Sequence, residues 1–365
     1  MNQLSERGRF ISKSEAAMLQ AVAVMLMVWH HLFGFPDRIS EPYVLIFNFF
    51  IPIETFVADF GRICIAVFAF VSGYGLRKKI SNSGKHAGIL KSYQLVGAQL
   101  LKFFSRYWAV FFVFVPLGFL LKVYPVDVNR FLKGVLGIGS GYNGEWWYVN
   151  YYVRFLLLFP IMTFLTDIIL KRVPVLMHIL MAVAVISLLI APKTLPYYDF
   201  FTVLICFAEG MYFIESNIFE TIYRPFQKKP WLRLIVGIVL FGAVFVLRFK
   251  GVKDYLLVAT FVFSVMLICK TESLMRWLRP PLLFVGQYST YVWLTHTFFA
   301  YYFFQKLTFA PRYSWLIFLW CMVLSFASGM VLEELLALIT KMVKNTHRGV
   351  QEWRVDLQRD KRQKR

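Results

Sequence analysis

The chain is cut into about ten apolar runs, at about 17–33, 57–76, 103–123, 146–168, 173–191, 200–215, 231–247, 255–269, 282–305 and 314–340. A bilayer core is roughly 30 Å thick and takes about 20 apolar residues to cross as a helix. Runs of this length and number therefore allow one class of fold. The chain reads as an all-α integral membrane protein, a bundle of about ten transmembrane helices. The runs at 200–215 and 255–269 are short for a bilayer, and the count of ten depends on accepting them. Composition agrees: 59% of the 365 residues are hydrophobic, above the share typical of soluble domains. The lipid bilayer is thus the first expected partner.

The net charge of +20 would suggest nucleic acid in a soluble protein. Here the basic residues collect at the ends of apolar runs, which is what orientation in a membrane requires, so no nucleic-acid partner is expected. No small-residue cleavage site follows the first run, which reads as a retained helix. Cys64, Cys206, Cys269 and Cys321 are isolated within apolar runs, so neither disulfides nor a structural metal site is expected. There is no internal repeat and no connection long enough for a soluble domain. Residues 1–345 read as a single membrane-embedded domain and 346–365 as a basic tail.

Loop charge sets the orientation. The segment 77–102 carries Arg77, Lys78, Lys79, Lys85, Lys91 and Lys102 and no acid, so it faces the cytoplasm. The segment 34–56 has Asp37, Glu41 and Glu54 against Arg38 and faces outward. The basic tail 341–365 belongs inside, so both termini are expected to be cytoplasmic. It reads as a topology determinant, partly disordered, or as a segment that binds anionic lipid. The loop 248–254, with Arg248, Lys250 and Lys253, breaks the pattern: it is basic where the course of the chain puts it outside. Lipid-facing apolar surface masks any interface, so the sequence assigns no oligomeric state.

Within this frame the intramembrane ionisable residues are the candidates for function. His31 lies 14 positions after the start of the first run, and His296 14 positions after the start of the ninth. Both runs go from inside to outside, so both histidines lie roughly 20 Å from the cytoplasmic edge. Two histidines at one depth can flank one cavity; the alternative is that each bonds a neighbouring carbonyl. Histidine is also the commonest general base near neutrality.

At the inner end, Arg77 closes the second run, and Lys102 and Arg106 open the third. Four apart, Lys102 and Arg106 share a helix face, and such a cluster can hold the phosphates of a soluble anionic cofactor. For Lys78, Lys79 and Lys85, topology and lipid headgroups are the better account. Ser72, Gly73 and Gly75 near the end of the second run allow close approach of a backbone or a ligand. Arg154 and Glu209 are both near mid-depth and either pair with each other or serve the donor or acceptor. Asp59 and Arg62, three apart, read as a local pair. Trp147 and Tyr148 open the fourth run at the outer surface, as an aromatic belt or as a platform for a sugar ring.

Several of these stretches resemble the acyltransferase-3 family, ten-span bacterial membrane enzymes that transfer acetyl or similar groups to surface saccharides. The resemblance is carried by AVAVMLMVWHHLF at 21–33, CIAVFAFVSGYGL at 64–76, LKFFSRYW at 101–108, WYVNYYVRFLLLFP at 147–160 and STYVWLTH at 289–296, in the family's order. The family's first helix carries an Arg or Lys, ten residues, then an essential His. That spacing selects His31 over His30, but the basic position is Gln20 here. An Asp common in the second helix is Ala66, and a Glu after the family's Trp is Tyr152, which marks a divergent branch.

The resemblance implies a membrane O-acetyltransferase of the bacterial cytoplasmic membrane. Acetyl-CoA would be the cytoplasmic donor and a surface or lipid-linked saccharide the acceptor. It implies His31 as general base or transient acyl carrier; by their own placement Arg106 is expected on the CoA phosphates and His296 to orient the acceptor or stabilise the oxyanion. A transporter or flippase for a lipid-linked saccharide is the rival class, but the paired broken helices of transporters are not seen. A degenerate, non-catalytic member is a third reading.

Overall fold

Helix α1 (Lys13–Phe33) starts at a capping box: Ser12 Oγ accepts from the Glu15 amide at 3.2 Å, and the Glu15 carboxylate accepts from the Ser12 amide at 2.7 Å. Two donors that the first turn would leave unpaired are thereby satisfied. Residues from Met18 to Phe33 are buried on several sides of this helix, which places it at the centre of the bundle. In this computed structural model, residues 10–45, 53–82 and 89–363 are described, with side chains through residue 343. Lys85, part of the 34–56 loop and the side chains of the tail lie outside the described residues.

The chain continues through α2 (Ile53–Gly61), α3 (Cys64–Ser81), α4 (Ile89–Leu120), the short α5 (Val128–Val135), α6 (Trp147–Arg172), α7 (Pro174–Ile190) and α8 (Tyr198–Ser216). It then passes α9 (Ile218–Tyr223), α10 (Pro230–Phe249), α11 (Asp254–Cys269), α12 (Glu272–Thr297), α13 (Gln305–Phe309) and α14 (Ser314–Gln363). Pro174 and Pro230 sit at the first helical position, where a missing N–H costs nothing. Among the described residues there is no strand, only a lone bridge between Val44 and Tyr313.

Among the described residues six helices are long and apolar enough to cross a membrane: Lys13–Phe33, Ile53–Ser81, Ile89–Leu120, Gly144–Arg172, Pro230–Phe249 and Ser314–Val343. Two bent pairs bring the number to as many as eight. These are Tyr198–Ser216 with Ile218–Phe226, bent by 64°, and Asp254–Cys269 with Glu272–Tyr302, bent by 108°. The 17-residue helix Pro174–Ile190 is shorter, about 26 Å at 1.5 Å per residue. The protein is therefore a multi-pass membrane protein with six to eight such spans, against the ten runs read from sequence. The difference lies in the run 173–191, whose helix is short, and in the runs 200–215, 255–269 and 282–305, which qualify only within bent pairs.

Backbone-to-backbone contacts fix α1 and its surroundings. A Cβ on Gly286 of α12 would fall 2.1 Å from the Ala17 carbonyl, so α12 lies directly on α1. On the far side of α3, a Cβ on Gly73 would fall 2.0 Å from Phe207 O, and one on Gly210 of α8 2.0 Å from Phe70 O. This reciprocal crossing is small-residue helix packing. It gives Gly73 a structural task, not an evident ligand.

Side-chain contacts sort the helix ends onto two faces. Around the start of α1, Glu15 bonds Lys270 at 2.5 Å, Phe10 N donates to Glu220 at 2.6 Å, and Arg77 bonds both Asp167 and Glu215 at 2.5 Å. Around its end, Arg38 bonds Glu145, Gln305 Nε2 donates to the Arg38 carbonyl at 2.9 Å, and Arg248 donates to the Asp59 carbonyl. These are called the Lys13 face and the His31 face below.

Candidate active site

The last turn of α1 carries both histidines, and they do different things. His30 Nδ1 lies 2.8 Å from the Ala58 carbonyl of α2, a helix-to-helix bond. His31 Nδ1 lies 2.8 Å from Nε2 of His296, so α1 and α12 bring the two depth-matched histidines into direct contact. His31 Nε2 lies 3.1 Å from Glu145 Oε2, and Glu145 Oε1 accepts from Arg38 Nη1 at 2.8 Å. Four side chains thus form one row: His296, His31, Glu145, Arg38.

The polarity of that row follows from its buried end. His296 Nδ1 lies 2.9 Å from the carbonyls of both Val292 and Trp293. A ring nitrogen between two acceptors must carry hydrogen, so Nε2 of a neutral His296 accepts and His31 Nδ1 donates to it. This tautomer is assigned from the bonding pattern. His31 Nε2 is then the one nitrogen of the pair open to chemistry. Its partner there is the Glu145 carboxylate.

Exposure grades along the row. His296 is 0% and His31 8% exposed, and the Arg38 side chain is 42% exposed. The row therefore runs from the bundle interior to the His31 face. Burial works against the Arg38 charge, but the Glu145 hydrogen bond and attraction outweigh it and raise its pKa above the ordinary arginine value. Its guanidinium also lies over the rings of Phe35 at 4.4 Å and Tyr301 at 5.4 Å.

Glu145 is held by its neighbours. Asn143 Oδ1 accepts from the Glu145 amide at 3.1 Å, while Asn143 Nδ2 donates to Thr297 Oγ1 at 2.7 Å. Trp146 Nε1 donates to the Leu294 carbonyl at 3.1 Å. Both ties reach α12 within two residues of His296. Just beyond, Phe298–Tyr302 form a π-helical turn, a feature frequent at functional sites. It brings the Tyr301 hydroxyl onto the His31 carbonyl and the Tyr302 hydroxyl 2.8 Å from the Gly144 amide.

At the Lys13 face a cavity of about 570 Å³ is lined by Lys102, Ser105 and Arg106 of α4 and by Glu333, Thr340 and Lys341 of α14. Arg106 Nη2 lies 3.3 Å from Glu333, and its guanidinium lies 5.4 Å from the Tyr291 ring. Tyr291 precedes His296 by five residues, about 7.5 Å along α12. One helix therefore links the cavity wall to the histidine pair.

Other sequence candidates lie elsewhere. Arg77 is 4% exposed and engaged by Asp167 and Glu215, so its charge is offset inside the bundle. Ser72 lies beside the Tyr152 hydroxyl, which also accepts from Gln99 at 3.1 Å. Arg154 is exposed, with its guanidinium 5.8 Å from the Phe200 ring, whereas Glu209 is buried with Oε2 unpartnered; the structure does not pair them. Tyr148 is buried at 5% exposure against Trp293, while Trp147 is half-buried beside Tyr151. Asp59 and Arg62 form no ion pair among the described residues, because α2 ends at Gly61 between them. Among the described residues no group of three His, Cys, Asp or Glu is arranged to hold a metal ion.

A family model described as an acyltransferase domain matches residues 17–334, nearly the whole chain. The chain belongs to the acyltransferase-3 family. It is therefore a membrane acyltransferase, and the matched region includes both histidines, Glu145, Arg38 and, of the cavity lining, Lys102, Ser105, Arg106 and Glu333. No curated protein and no solved structure matches the chain. In this acyltransferase the position at which the resemblance calls for a cation is Gln20, and Arg106 makes no recorded contact with His31. The cation coupled to His31 is Arg38, acting through Glu145. In the sequence Glu145 is the residue that opens the aromatic stretch Trp146-Trp147-Tyr148, and Arg38 is a loop charge, so neither stands out as a site residue.

Proposed function

We propose that this acyltransferase moves an acetyl group from acetyl-CoA to a hydroxyl of a cell-surface or lipid-linked saccharide. The observation that carries this reading is the hydrogen-bond polarity that leaves His31 Nε2 as the reactive nitrogen. In the direct route, Nε2 takes the proton of the acceptor hydroxyl while its oxygen attacks the thioester carbonyl. The C–O bond forms, the C–S bond breaks, and the proton passes from His31 to the leaving thiolate. The contact at 3.1 Å with Glu145 is the one the intermediate imidazolium makes with a carboxylate. In the two-step route Nε2 carries the acyl group and the acceptor displaces it. Both routes use the same nitrogen, and His296 fixes its orientation.

The donor phosphates are assigned to Lys102 and Arg106 at the Lys13 face, with the pantetheine arm running along α12 past Ser72 and Tyr152. Arg77 is left out of this cradle because two carboxylates already hold it. The acceptor comes from the His31 face, where Arg38 and Trp147 lie at the rim. The matching orientation is a ten-span course in the bacterial cytoplasmic membrane with the Lys13 face and both termini cytoplasmic, residues 1–345 forming one catalytic unit and 346–365 a tail. The transporter reading is set aside because the family is one of acyltransferases.

The test is mass spectrometry of surface glycans from cells with and without the gene, joined to His31→Ala in isolated membranes. The expected result is one acetyl lost per modified unit in both cases, with membrane insertion of the variant intact. Undiminished acetyl transfer by inserted His31→Ala would overturn the assignment.

A further inference from the structure

The basic loop 248–254, on the face where the charge pattern forbids it, meets α2 at a second cavity. This cavity, of about 240 Å³, lies on the His31 face at the edge of the bundle. Phe56 and Phe60 of α2 and Phe245 and Phe249 of α10 form its walls. Their rings pack at 4.5 Å (Phe56 to Phe249) and 4.8 Å (Phe60 to Phe245). Asp59, Arg62 and Arg248 supply the polar lining.

The two arginines differ in how they are held. Arg248 is fixed: its Nε donates to Asp254 at 2.8 Å and its Nη1 to the Asp59 carbonyl. Its side chain is 13% exposed. Arg62 is exposed and pairs with no carboxylate among the described residues. Cations accumulate beside it. The pKa of Lys253, in the loop before α11, is lowered by burial, then by Lys193 and more weakly by Arg62, and Asp254 offsets only part of this. Arg62, Arg248, Lys193 and Lys253 stand against the two carboxylates of Asp59 and Asp254, an excess of positive charge that suits an anion, and guanidinium forks suit phosphate.

The surroundings decide what bears the phosphate. Val246, Leu247 and Phe249 of α10 are 51%, 42% and 59% exposed, so apolar side chains flank the cavity on the outside of the bundle. An occupant must suit four aromatic rings and the Arg62 guanidinium together, with Arg248 held beside it, which a soluble anion does not. We infer that this cavity holds the phosphate of a membrane amphiphile in the leaflet at the His31 face, with its chain along the α10 surface. The assignment goes beyond the acyl-transfer reading and does not need it. It also accounts for the loop that breaks the charge rule: its cations face a bound anion.

The cavity is one helix removed from the candidate active site. The carbonyl of Ala58 bonds His30 on α1, while the adjacent Asp59 lines the cavity. A lipid-borne phosphate there sits beside the helix turn that carries His31. Two sources share this chemistry: an ordinary phospholipid, or a lipid-linked saccharide that is itself the acceptor.

The experiment uses the full chain purified in detergent, with bound lipid counted by native mass spectrometry. The probes are phosphatidylglycerol, a polyprenyl monophosphate and, as the phosphate-free control, diacylglycerol. Arg62→Gln removes the unpaired charge, Arg62→Lys keeps a charge without the fork, and Lys306→Gln removes a distant cation of the same face. The expected result is retention of a phosphate lipid but not of diacylglycerol. Retention should weaken about tenfold in Arg62→Gln, less in Arg62→Lys and not in Lys306→Gln. Preference for phosphatidylglycerol identifies a resident phospholipid, and preference for the polyprenyl phosphate identifies a carrier-linked acceptor. Equal retention of diacylglycerol by the unmodified protein, or unchanged retention by folded Arg62→Gln, would overturn the inference. The diacylglycerol comparison decides the matter even if the variant does not fold.

Discussion

The two faces of the bundle treat charge in opposite ways. At the Lys13 face Arg77 is buried and held between Asp167 and Glu215, so two carboxylates answer one guanidinium. At the His31 face the row from Arg38 to His296 alternates cation, anion and two imidazoles, and it opens outward. The first arrangement joins α3, α6 and α8 and leaves nothing to exchange. The second contains a proton whose position is set by its neighbours. Burial alone does not mark function in a membrane bundle; what sets this row apart is that its ionisable groups run in contact from the interior to the His31 face.

That contrast can be broken at four places. The largest effect is expected from Glu145→Gln, which keeps the shape but removes the anion facing His31 Nε2. Acyl transfer in membranes should fall by roughly 10²- to 10⁴-fold, the usual contribution of a proton-transfer group, with thermal stability nearly unchanged. Arg77→Met should do the reverse: stability falls by roughly 3–5 kcal/mol because two carboxylates lose their partner, while activity per folded molecule is retained. A thermal-shift series beside specific activity separates the two. Arg106→Gln should raise the donor KM about tenfold with kcat little changed, since it touches the donor's charge and not the reacting atoms. The smallest effect is expected from Asn143→Ala, about 1 kcal/mol of stability with a several-fold loss of kcat, because the cap that aims Glu145 is gone. Equal loss of activity from Arg77→Met and Glu145→Gln would erase the distinction between the faces.

Much of this was legible in the sequence, and the rest was lost for identifiable reasons. Helical character follows from the apolar runs, and equal depth allows His31 and His296 to meet, because rise per residue is a property of any α-helix, but the contact itself depends on how the helices are rotated. Glu145 and Arg38 lie in connections whose path is set by tertiary contacts such as Asn143 with Thr297, and no local pattern announces them. Asp59 and Arg62 are three apart, but the chain leaves helical geometry after Gly61, so the spacing rule does not apply. Arg154 and Glu209 do not meet because Arg154 lies by Phe200 near the start of α8, nine residues and about 13.5 Å before Glu209 along that helix. The short runs were counted as separate spans from apolarity, whereas two qualify only as members of bent pairs.

The π-turn at Phe298–Tyr302 makes the site sensitive to length as well as to composition. A π-turn accommodates one more residue than the α-helical turn it replaces. Deleting a single residue there would return the segment to α-helical winding, which leaves the chain beyond nearly in register but re-aims the residues of the turn itself. The hydroxyls of Tyr301 and Tyr302 would leave the His31 carbonyl and the Gly144 amide together. The chain's register through this turn is thus part of the active-site geometry, and a frame-preserving deletion that spares every polar residue of the site should still dismantle it.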